Sequence, residues 1–152
     1  MTQDMLESYR RKIIGRDQVL KKLDQKIEEV LESVSALEQK IPITVTAEIN
    51  TDLSIVRIQY RDRHFVARFE IFSKEDTGEI RDYAIRVSFH KVIKSINEFN
   101  KTITREEHLE HDIYLDEYTN VSEDFELKKQ IFGNFSDAFI NILTQILAEK
   151  YF

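Results

Sequence analysis

The chain has 152 residues, a formal net charge of −6, no cysteine, three glycines and one proline. That length suits one domain with a real core and an appended arm. The missing cysteines exclude disulfides and thiolate chemistry, and the scarce glycines argue against phosphate loops and flexible linkers. The excess of acid is local. Nine carboxylates between positions 105 and 126 face the single base Arg105, a balance of −8 that leaves +2 for the rest. An acidic total argues against non-specific binding to nucleic acid or an anionic membrane. There is no signal-peptide pattern and no apolar run of 18 residues, which predicts a cytoplasmic protein that does not span a membrane.

Leu6, Ile13, Leu20, Ile27, Val34 and Ile41 stand seven apart, and Tyr9, Leu23, Val30 and Leu37 fill the positions three residues later. This a/d register predicts one long coiled-coil-like helix over 3–41, capped by Thr2 or Asp4 and ended by Pro42. Such a helix is about 57 Å long, whereas the remaining residues make a body about 35 Å across. The helix therefore overhangs. Its second half carries a broad stripe (Ile27, Val30, Leu31, Val34, Leu37, Ile41) suited to packing on the body. The first half narrows to Leu6, Tyr9, Ile13, Leu20 and Leu23, and a narrow apolar stripe left in water asks for a partner. A second copy is the simplest, so residues 1–41 are expected to form a dimerisation arm and 42–152 an α+β body. Gly15 and Arg16 interrupt the seam, while Lys12 and Asp17 sit where parallel chains would bridge. Antiparallel pairing, or packing within the chain, are the alternatives.

From residue 43 the period changes to two. Ile43, Val45, Ala47 and Ile49 alternate with polar residues, as do Val56, Ile58 and Tyr60, then Phe65, Ala67, Phe69 and Ile71, and finally Tyr83, Ile85, Val87 and Phe89. Four strands joined by short polar turns predict an antiparallel meander with one apolar face. Val92, Ile93, Ile96 and Phe99 follow at helical spacing and predict a short helix over 91–99. Thr104 to Glu107 reads as a capping box, yet Ile113 and Leu115 alternate, so 104–118 is open between helix and strand. Phe125, Phe132, Phe135, Phe139, Ile142, Leu143, Ile146 and Leu147 predict helical structure over 122–152, with Ser122 as a cap, packed on the apolar sheet face. The order of these elements is similar to the coiled-coil-plus-RWD arrangement of kinetochore and adaptor proteins. That resemblance implies protein binding without catalysis. The Tyr-Pro loop typical of RWD domains has no counterpart, since Pro42 is the only proline.

Two surfaces carry candidate sites. Strand parity points Arg57, Arg68 and Arg86 to the same side of three strands, with His64 and His90 at strand ends. Guanidiniums so placed suit a small anion or an acidic peptide, unless Glu48, Glu70 and Asp82 pair with them. The acidic segment, with Glu106, Glu107, Glu110 and Asp112, suits a basic partner instead. His108, His111 and Asp112 match neither a zincin nor a di-iron pattern, so no metal and no cofactor are expected. No nucleophile or acid–base motif is present. The expectation is a non-catalytic adaptor that homodimerises through its N-terminal helix. The alternative is a small acidic inhibitor or ligand-sequestering protein of the anti-defence or immunity type.

Overall fold

Thr2 opens the first helix: its hydroxyl accepts from the Met5 backbone N–H at 3.3 Å, and α1 runs from Gln3 to Glu38. The computed structural model describes residues 2–49, 53–73, 83–116, 121–122 and 134–149. After α1 come β1 (Ile43–Glu48), β2 (Leu53–Tyr60), β3 (Arg63–Ser73), β4 (Tyr83–Ile96), β5 (Thr102–Asp116), β6 (Val121–Ser122) and α2 (Phe135–Ala148). The strands form one antiparallel sheet in chain order, β1 to β6. The fold is α+β, with a long N-terminal helix, an antiparallel meander and a C-terminal helix. The meander has six strands rather than four.

The two extra strands come from segments with helical signals. Residues 91–96 continue β4, and the capping-box segment lies in β5, which settles 104–118 as strand through Asp116. Val92, Ile93, Ile96, Thr102, Ile103 and Thr104 are all β-branched. They fit an extended backbone better than a helix, and each strand satisfies the other's backbone groups along the whole hairpin. Ser122 belongs to β6, and the residues it was expected to cap lie outside the described ones. Phe125 and Phe132, expected in the final helix, lie outside the described residues, as does Asp82. Six strands and this long β4–β5 ribbon depart from the RWD arrangement.

Both helices cover one sheet face. Val19, Leu23, Ile27, Val30 and Val34 are buried, at steps of four, four, three and four residues. That is the period of a straight helix lying on a sheet, not the 3.5 of a supercoil. Leu23 therefore packs inside its own chain, and Leu20 is half-buried beside Val19. Val56, Ile58, Phe65, Ala67, Phe69, Ile85, Val87, Phe89, Ile113 and Leu115 meet the helices from the sheet. Phe139 anchors α2, with its ring 5.7 Å from Phe69 and 5.1 Å from Phe89. Asn134 caps α2 by accepting from the Asp137 N–H at 2.8 Å. At the far end of α2, Arg63 donates to the backbone carbonyl of Glu149 at 3.1 Å. No helix among the described residues is long and apolar enough to cross a membrane.

Candidate functional site

The sheet face away from the helices takes the even-numbered residues of β3, β4 and β5 and the odd-numbered ones of β2. Register places Arg57 opposite Val66, Val66 opposite His90, and His90 opposite His108. Arg57, Arg68, Arg86 and His90 thus share a face, as their parity predicts. The acidic segment shares it too. Because it is β5 rather than a helix, Glu106, His108 and Asp112 stand on the same face as the arginines. Two candidate surfaces that looked separate in the sequence are one.

On that face cations and carboxylates neutralise each other. Arg68 holds Glu106 through both carboxylate oxygens, at 2.6 and 2.7 Å from Nη2. Arg86 donates to Asp112 at 3.1 Å and lies 3.7 Å from Glu70. Burial works against its charge, but Tyr114, Asp112 and Glu70 outweigh that and raise its pKa. Arg57 reaches Glu48 at 3.3 Å, with both side chains about half exposed. Of the other acidic residues, Glu107 meets Lys91 at 3.8 Å and Glu110 is exposed.

His90 sits at the centre of this network. Its ring is 5.1 Å from that of His108, which is 2.7 Å from Asp112. Desolvation lowers the His90 pKa, with the neighbouring His108 adding to the effect. His90 Nε2 also lies 3.0 Å from Ser88 Oγ, a contact whose direction depends on the tautomer. A serine beside a histidine is the start of a nucleophilic pair. Ser88 is only 4% exposed, however, so its hydroxyl cannot meet a substrate. His111 points to the opposite face, toward Glu149 at 3.8 Å. Among the described residues no three His, Asp or Glu side chains are arranged to hold a metal ion.

Beside the network the sheet is concave. A cleft of about 320 Å³ is lined from β1 through β5, with Arg57, His64 and Lys94 as its basic residues. Reading 91–99 as a helix hid Lys94. The β-branched pair Val92–Ile93 was the signal that would have placed it on a strand.

The arm is the other exposed feature. Leu6 is 44%, Tyr9 47% and Ile13 62% exposed, and Met5 and Ile14 stand beside them. Of the expected dimer-seam residues these three are open to solvent. The tip of the β4–β5 hairpin, which sequence reasoning did not single out, exposes Ile96, Phe99 and Ile103 at the other end of the molecule. No family model matches the chain, nor does any curated protein or solved structure.

Proposed function

We propose that the protein is a non-catalytic interaction protein that homodimerises through the first turns of α1 and presents its sheet face to a partner. The observation that carries this reading is the break in burial along one helix. From Val19 onward the apolar stripe is buried against the chain's own body, whereas Leu6, Tyr9 and Ile13 stay about half exposed. These three stand at a, d and a spacing, the pattern by which two copies of one helix interlock.

Two further features favour a second copy as the occupant. The second half of α1 is anchored on the body, so the arm is already nucleated as a helix, and ordering it on association costs little. The arm's charges also balance closely: Asp4, Glu7 and Asp17 stand against Arg10, Arg11, Lys12 and Arg16. Two arms can therefore approach without the repulsion that the whole chain's −6 would create.

The chain has no cysteine, which makes a single introduced one a clean reporter. Tyr9 lies at the middle of the exposed stripe, so Tyr9→Cys brings two thiols together in a parallel or an antiparallel pair. Ile13→Cys does so only in a parallel one. Oxidation of Tyr9→Cys should give a disulfide-linked dimer in high yield at micromolar protein. Cross-linking no greater than that of an exposed cysteine elsewhere, for example Glu110→Cys, would refute assembly through the arm.

A further inference from the structure

The cleft on the sheet face has no carboxylate among its lining residues, in a chain that carries 28 of them. Its polar lining offers hydrogen-bond donors from the Arg57 guanidinium, the Lys94 ammonium, the His64 ring and the hydroxyls of Thr46 and Thr104, while the Gln59 amide nitrogen donates to the Arg61 carbonyl at 3.2 Å. Apolar surface comes from the half-buried Val92, while Val66 is buried. Three carboxylates stand near it, of which Asp62 shares the adjoining cleft with His64, Val92 and Lys94. Glu106, which pairs across the strands with Val92, is held by Arg68. Glu48 is bound to Arg57 in an exposed pair of the kind that contributes little and exchanges readily. Lys94 and His64 make no side-chain ion pair or hydrogen bond among the described residues.

From this arrangement we infer that the cleft is a binding site for a small organic oxyanion, a phosphate or carboxylate joined to an apolar body. The forked guanidinium of Arg57 and the ammonium of Lys94 take the oxyanion, with the threonine hydroxyls and the His64 ring donating around it. Val92 covers the apolar part. The volume suits a compact ligand, at the lower end of the range for small-molecule sites. The arginines Arg68 and Arg86 do not line the cleft, and each is held by carboxylates less exposed than Glu48. The site is independent of the arm, so it stands or falls separately from the dimer.

The test is an amide NMR titration of the full chain with phenyl phosphate, phenylacetate and inorganic phosphate. One or both organic anions should give saturable shifts confined to Thr46, Arg57, His64, Lys94 and Thr104. Which of the two binds tighter identifies the oxyanion. Inorganic phosphate should bind about tenfold more weakly, since it leaves Val92 uncovered. The Arg57→Gln/Lys94→Gln double variant should weaken binding about tenfold or more, while Arg105→Gln, which removes a charge from the opposite face of the same ribbon, should not. Absence of saturable shifts with either organic anion, or equal affinity in the double variant with an unchanged fold, overturns the proposal. Inorganic phosphate binding as tightly as phenyl phosphate overturns the organic part of it.

Discussion

His90 makes the open face sensitive to acid. Burial, together with His108 and Arg68, depresses its pKa below the ordinary 6.5, outweighing the opposing pull of Glu106 and Asp112. The unfolded chain then takes the proton more readily than the folded one, so stability falls as pH drops through the ordinary value toward the folded one. The His90→Gln variant removes that difference. Thermal unfolding between pH 8 and pH 5 should show wild type losing more stability on acidification than the variant, and identical slopes would contradict the assignment. The Arg68–Glu106 pair is about 30% exposed on both sides and doubly bonded. Partial solvation limits what it contributes, so Glu106→Gln should cost about 0.5 to 1 kcal/mol in denaturant unfolding. Adding Arg68→Gln should then cost little more, because the two act as one unit.

At the scale of the element, α1 is one helix with two fates. Leu23 is 0% exposed and packs in the core, so Leu23→Ala should cost about 2 to 5 kcal/mol. Ile13→Ala should change the stability of the separate chain by less than about 0.5 kcal/mol. Comparable losses at both sites would mean that the first turns also pack on a body. The helix and the alternation of β1 to β3 were legible because burial repeats at a local period. The seam was less so. The heptad reading put Leu20 in the seam, but a straight helix on a sheet buries Val19 instead, since 3.6 residues per turn drifts against a repeat of seven. The β4–β5 ribbon was illegible for a different reason. Val92, Ile93, Ile96 and Phe99 carry a helical spacing, and their extended form depends on backbone pairing with residues ten or more positions away. No local window contains that partner. The candidate site inherited this error. Arg57, Arg68, Arg86 and His90 were placed on one face by parity, but Lys94 and the partner carboxylates Glu106 and Asp112 come into view only when 91–116 is a hairpin.

For the whole molecule, the distribution of exposed apolar surface is the organising fact. The body covers its core with two helices on one face and leaves on the other a face where Arg68 and Arg86 are paired with carboxylates beside a basic cleft. At one end the arm leaves Leu6, Tyr9 and Ile13 about half exposed, and the central claim is that a second copy covers them. Native mass spectrometry of the full chain across a dilution series tests this most directly, with a Leu6→Asp/Ile13→Asp variant as comparison. The account predicts a dimer for wild type that dissociates on dilution, and a folded monomer at every concentration for the variant. A wild-type monomer at high micromolar concentration, or a dimer that survives both substitutions, would contradict it.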